Sequence, residues 1–149
     1  MVYDRTLTTA KAFANAGHIE EWIHAYLCSD GHNKPFSDGL KLDKRFFKGP
    51  VTMPLNLFTR CCGPEETMKW QVDSNSFELR VSALAEAIQS HADLPPLIVE
   101  YTAAGFVLTD GNHRWEAYNR CGITECAVIL WGTGKADEER LCSLYHEYL

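Results

Sequence analysis

The chain has 149 residues, 46% hydrophobic and 23% charged, with no low-complexity tract and no repeat period. That is ordinary globular composition, enough for one domain with a real hydrophobic core and short for a second. A formal charge of -6 argues against a whole-surface grip on nucleic acid, which needs an excess of Lys and Arg to neutralise phosphates, and leaves room only for a local basic patch. No apolar stretch approaches the length of a membrane span and no export signal opens the chain, so the expectation is a cytosolic protein with no membrane partner.

Phe13, Ile19, Trp22, Ile23, Tyr26 and Leu27 recur at three- and four-residue spacing and predict one amphipathic helix over 9–28, weakened by Gly17. The stretch SDGHNKPFSDGLKLDKRFFKGP, rich in Gly, Pro, Asp and Asn, reads as a loop ending at Gly49-Pro50, held to the body by Phe36, Leu40, Phe46 and Phe47. VTMPLNLF alternates like a strand, and Pro54 confines it to an edge or a strand end. Phe77, Val81, Leu84, Ala85 and Ile88 fall on one helical face, with Ser74 or Ser76 as N-cap. LPPLIVEY, GFVLTD and CAVILW are apolar runs of strand length. Asp137, Glu138 and Glu139 precede Leu141, Leu144, Tyr145 and Tyr148, the pattern of a final capped helix.

The expected order is therefore helix, strand, helix, strand, strand, helix, strand, helix. This is a mixed α/β (α+β) fold with a small mixed sheet. One domain would comprise a helical and loop extension over 1–49, a core over 50–132 and a C-terminal helix over 135–149. With no export signal, the six cysteines read as reduced, mostly buried thiols rather than a disulfide framework. Cys61-Cys62 and the pair Cys121 and Cys126 lack the paired CxxC spacing of a zinc knuckle, and Gly31 ends the helix that would set Cys28 beside His32.

The sequence TDGNHR at 109–114 is required by no packing pattern. Val107 to Thr109 end a strand and Asp110-Gly111 turn the chain. Asn112 or Asp110 caps a helix with Trp115, Tyr118 and Cys121 facing inward, which Gly122 terminates. Free amide N–H groups, the positive end of a helix dipole and the Arg114 guanidinium together suit phosphate oxygens, and Gly111 admits a close backbone approach. The plainer alternative is a structural junction in which Arg114 pairs with Glu116 or another carboxylate and His113 lies on a solvated turn.

From Val51 to Trp131 the chain resembles the ParB/sulfiredoxin superfamily, through VTMPLNL, VSALAEAI, LPPLIVEY, DGNHRWEAYNRCGI and CAVILW. The sulfiredoxin branch carries a catalytic cysteine where this chain has Asn112, and the ParB branch reads Gly-Glu-Arg-Arg around a cytidine nucleotide where only Gly111 and Arg114 match. The loop is most similar to the Asp-Gly-His-His-Arg of the free-serine kinase branch. That resemblance implies Asp110 as a magnesium ligand and catalytic residue, and Glu65 or Glu66 as the base for an acceptor hydroxyl. It also implies Gly111, Asn112, His113 and Arg114 as phosphate-binding residues, with a nucleoside di- or triphosphate and magnesium as cofactors.

Three readings follow. The first is a phosphotransferase or nucleotide hydrolase with an unknown small-molecule acceptor. The second is a ParB-like nuclease or DNA-binding accessory, disfavoured by net charge. The third is a non-catalytic interaction module with a vestigial loop.

Overall fold

The computed structural model describes residues 1–149. Two helices open the chain, α1 at Leu7–Asn15 and α2 at Ile19–Cys28. The single helix expected over 9–28 is thus broken, because Gly17 adopts a left-handed φ of +79° that carries the chain out of the first helix. The expected loop that follows also contains a helix, α3 at Lys34–Leu40, with Pro35 in its first turn and Asn33 capping the Phe36 amide.

Strand β1 runs Arg45–Pro54 and so begins well before Val51. It then yields to a 3-10 turn at Leu55–Leu57, so VTMPLNLF is half strand and half turn, with Pro54 at the strand end. Two-residue strands β2 (Cys62–Gly63) and β3 (Trp70–Gln71) pair in parallel and close a small loop. Helix α4 spans Ser74–Gln89 and is capped by Asp73, whose carboxylate accepts from the Ser76 amide; neither Ser74 nor Ser76 caps it. Strands β4 (Leu97–Thr102) and β5 (Gly105–Asp110) form a hairpin, α5 spans Asn112–Arg120, β6 Glu125–Thr133 and α6 Lys135–Leu144.

The main sheet has the order β1-β6-β4-β5, with β4 and β6 parallel and both outer pairings antiparallel. β1, which carries Pro54, is an edge strand as that residue requires. The central strands are buried on both faces, which explains why LIV in β4 and AVILW in β6 are continuous rather than alternating. On one face Leu97, Val99, Leu108, Val128 and Leu130 pack with Met53 and with Leu141 of α6, and the half-buried Trp115 and Tyr118 of α5 close over them. On the other, Ile98, Ile129 and Trp131 pack against Ala10, Phe13, Trp22, Ile23, Leu27 and Leu40. The N-terminal extension is thus one wall of the sheet's second core. Phe36 and Phe47 join that core, and Phe46 joins the first.

A third, smaller cluster joins Phe77 and Val81 of α4 to Ala117 of α5. All six cysteines are free, but only Cys126 is buried; Cys28 is exposed and the others are intermediate. The thiols therefore mostly fill half-buried positions. No helix is long and apolar enough to cross a membrane.

Candidate functional site

The junction between β5 and α5 is set by two backbone features. A bulge in the β4–β5 hairpin, between Ile98 and Val99, inserts an extra residue so that Asp110 ends the strand opposite Ile98; a bulge of this kind re-aims the side chains beside it. Gly111 then takes a φ of +101° and serves as the N-cap of α5, with no side chain capping the helix. The expectation that Asn112 or Asp110 caps it is corrected, since both side chains are engaged elsewhere. A Cβ at Gly111 would stand 2.6 Å from Leu97 Cδ2 and 2.9 Å from Arg114 Nη2. The glycine therefore makes room for the protein's own side chains rather than for a ligand.

Gly111 O accepts from Trp115 N, whereas the N–H groups of Asn112, His113 and Arg114 have no acceptor in the protein, as the first turn of a helix without a side-chain cap dictates. They open onto a groove of about 1210 Å³ to which Asp110, Gly111, Asn112, His113 and Arg114 all contribute. Its opposite wall comes from the extension, including Tyr26 and Phe36, and its side from α4 and the loop around Cys61 and Trp70.

Within the loop the five residues divide their tasks. Arg114 is nearly enclosed, 8% exposed. Its Nη1 donates to Tyr26 Oη at 3.0 Å, and its Nη2 donates to Pro96 O at 3.1 Å and to Asp110 Oδ2 at 3.3 Å. Its buried Nε has no partner. Asp110 is thus the carboxylate that Arg114 pairs with, not Glu116. Burial pushes the Asp110 carboxyl up, and Arg114 only partly offsets this. Asn112 Oδ1 accepts from the amides of Cys61 at 2.8 Å and Cys62 at 3.1 Å. Its first task is to tie the 60–63 loop to the helix start, and its oxygen is not free for a ligand.

His113 packs against Phe77 with ring centroids 5.1 Å apart. Burial, then Arg80, Arg114 and Arg60, push its pKa down to about 4, so the imidazole is neutral at pH 7. It is not the solvated first-turn residue of the plainer alternative. Of the three cations around it, Arg114 is paired with Asp110, and Arg60 is held between Glu65 and Glu116. Arg80, on α4, is exposed, lines the groove and has no carboxylate partner. It escaped the sequence reading, although it sits three residues after Phe77 and four before Leu84. That spacing places a lone cation beside the core-facing stripe of the helix.

Glu65 and Glu66 do not join the groove. Glu65 lies on the loop between β2 and β3 with Oε1 2.6 Å from Arg60 Nη2 and Oε2 3.1 Å from Nη1, and this pairing holds its carboxyl below the usual range. Glu66 is exposed beside it. The structure assembles the five loop residues with Arg80 and leaves the two glutamates outside.

The residues present fit a phosphate better than a metal. Three unpartnered amides and one arginine without a carboxylate partner line the groove, alongside several scattered carboxylates, while the unpartnered Arg114 Nε is buried beneath it. Asp110 is the loop's sole carboxylate and is engaged by Arg114, and no three His, Cys, Asp or Glu side chains are arranged to hold a metal ion. Asp110 therefore does not fit the expected role of magnesium ligand.

The fold is a mixed α/β module in which a small sheet's edge hairpin delivers a glycine turn and an uncapped helix start to a groove lined by residues of both charges. Residues 68–143 match the family model of the ParB N-terminal domain, and the chain belongs to that family. The match extends through α6 and begins after β1, leaving the extension outside it. A Deinococcus radiodurans protein described as a probable chromosome 2-partitioning protein ParB is 38% identical over 56 residues, 37% of this chain and 19% of the relative. The chain therefore spans only a small part of that relative's length. Among solved structures, sulfiredoxin from Arabidopsis thaliana aligns at 20% identity and a TM-score of 0.42 over 70% of this chain and 99% of that one. The C-terminally truncated chromosome-partitioning protein ParB from Caulobacter crescentus, complexed with CTP-gamma-S, aligns at 15% identity and a TM-score of 0.40, over 68% of this chain and 53% of its own.

Proposed function

We propose that this chain binds a nucleoside di- or triphosphate, seating the phosphates at the start of α5 between the amides of Asn112, His113 and Arg114 and the side chain of Arg80. The observation that carries the reading is the conjunction of those three unpartnered amides with an unpaired arginine across the same groove. Amide donors and a guanidinium fork complement phosphate oxygens. A neutral His113 adds one N–H donor. The resemblance of the DGNHR loop to nucleotide-binding branches of the superfamily favours a nucleotide over a bare phosphate.

Phosphoryl transfer to a small acceptor, or hydrolysis, is the finer form of this reading. Such chemistry rests on positioning and charge neutralisation, and the three amides and Arg80 supply donors for that purpose. A base for the acceptor is not among the groove residues expected from sequence, since Glu65 is committed to Arg60 and Glu66 lies outside. Any magnesium would ride on the phosphate oxygens rather than in a protein cage.

The test is a thermal-shift panel of ATP, CTP, GTP and ADP, with and without magnesium, on the wild type and Arg80→Ala. Arg80 is the suitable probe because Arg114 is built into the fold. At least one nucleotide should raise the wild-type melting temperature, by an amount that grows with concentration, and raise that of the variant much less. Equal shifts in both proteins, or none at millimolar nucleotide, would refute the reading.

A further inference from the structure

Cys61 and Cys62 are adjacent free thiols, both half-buried, and they are the only cysteines that line the groove. The phosphate reading leaves both sulfurs unused. Their two consecutive amides donate to one oxygen, Asn112 Oδ1, at 2.8 and 3.1 Å. The Cys61 thiol adds a further tie, donating to Leu108 O of β5 at 3.2 Å. This dipeptide therefore holds the first residue of α5 and the strand that leads to it. The peptide between the two cysteines is trans, which sets their Cα atoms about 3.8 Å apart, short of the roughly 4.4–6.8 Å that a relaxed disulfide spans. Joining the sulfurs requires the backbone at 61–62 to turn, and that backbone is what Asn112 accepts from. A disulfide has no S–H, so the bond to Leu108 O is lost as well.

From this geometry we infer that Cys61-Cys62 is a site of reversible oxidation, a dithiol that a hydroperoxide converts to a vicinal disulfide and that releases the start of α5 when it closes. The inference holds whatever the groove binds. In the first step one sulfur attacks the peroxide, the O–O bond breaks and an alcohol, or water from hydrogen peroxide, leaves, giving a sulfenic acid. The neighbouring thiol then forms the S–S bond, the S–O bond breaks and water leaves. The dithiol gives up two electrons to the peroxide, and its two protons end in the alcohol and the water. Burial pushes the Cys62 thiol up, so Cys62 suits the second step and Cys61 meets the peroxide first. A ring closed under strain is readily reopened by thiol exchange, which makes the modification reversible.

The experiment exposes the wild type, Cys61→Ser and Cys62→Ser to hydrogen peroxide, maps the products by peptide mass spectrometry with unreacted thiols blocked, and follows amide hydrogen exchange before and after dithiothreitol. The wild-type peptide that carries both residues should lose two hydrogen atoms and regain them with dithiothreitol, and neither variant should form that product. In the oxidised wild type the Cys61, Cys62 and Trp115 amides should exchange roughly tenfold faster, Trp115 because its bond to Gly111 O closes the first turn of α5. The exchange comparison needs only wild-type protein, so it decides the matter even where a serine variant folds poorly. If peroxide oxidises the exposed Cys28 and leaves 61–62 as thiols, or carries one of the pair to a sulfinic acid with no disulfide, the site is overturned. If the disulfide forms and those three amides exchange as before, oxidation does not release α5 and the inference falls as well.

Discussion

The Tyr26 hydroxyl accepts a hydrogen bond from Arg114 Nη1 at 3.0 Å across 88 residues of sequence. It joins the N-terminal extension to the loop of the family domain, and the Arg114 guanidinium also lies 5.7 Å over the Tyr26 ring. Tyr26 is itself stacked on Trp22, 5.1 Å between centroids and 6° from parallel. The cation that shapes the loop is thus positioned by helices outside the residues that match the family.

Tyr26→Phe keeps the ring and removes the acceptor, leaving a buried Arg114 N–H unpaired. The expected cost is about 1–3 kcal/mol in denaturant unfolding, with the loop loosened. Deleting residues 1–44 should do far more, because Ile98, Ile129 and Trp131 would lose their cover. That protein should be insoluble or expose apolar surface to a hydrophobic dye; a soluble, cooperatively unfolding product would contradict this packing role.

Asn112 separates stability from binding. Asn112→Ala leaves the Cys61 and Cys62 amides without their acceptor and should cost about 1–3 kcal/mol. Asn112→Asp keeps an acceptor oxygen, so its unfolding midpoint should stay near wild type, but a carboxylate beside the open amides should repel phosphate and weaken nucleotide binding. Equal stability losses in both variants would show that the Oδ1 bonds contribute little.

His113 makes stability depend on pH in a defined window. Its pKa falls from 6.5 to about 4 in the folded chain, through burial first and the three arginines after it. Between those values the unfolded chain takes up a proton that the folded chain refuses, so this group lowers stability as pH falls through the window and has no effect above it. Denaturant midpoints at pH 7 and pH 4.5 should therefore diverge less in His113→Gln than in the wild type. Parallel pH profiles would contradict the depressed value.

Glu65→Gln distinguishes a structural glutamate from a base. The Glu65 side chain is 44% exposed and pairs with Arg60, which Glu116 also holds at 3.2 Å. The Arg60 side chain is only 9% exposed, but Gln keeps an acceptor oxygen and Glu116 keeps the charge paired, so the variant should fold at a cost of about 1–3 kcal/mol. Any nucleotide turnover should survive it within a few-fold, as measured by phosphate release; a loss of several hundred-fold would return Glu65 to the site.

Much of the family domain was legible because its signals are local. GFVLTD is β5 as expected, and the apolar stripe from Phe77 fixes α4, since each pattern has one period and clear ends. The extension was not. Gly17 splits one apparent helix into two, and α3 is short, its Asn33 cap and Pro35 hidden in a stretch whose composition reads as loop. The early half of β1 carries a bulge between Lys48 and Val51 that breaks alternation. At the site, Gly111 and the open helix start could be read from the chain. The use of Asn112 as a tie to Cys61 and Cys62, the enclosure of Arg114 by Tyr26 and the arrival of Arg80 depend on contacts between distant segments, which no local spacing encodes.

The most direct measurement is a titration of nucleotide into ¹⁵N-labelled protein, followed on the backbone amides. The account predicts that Asn112, His113 and Arg114 show the largest saturable shifts, with the Arg80 side chain perturbed alongside them and the loop at Glu65 and Glu66 nearly silent. Shifts centred on residues remote from the α5 start, or no saturable shift at these three amides, would contradict a phosphate seat there.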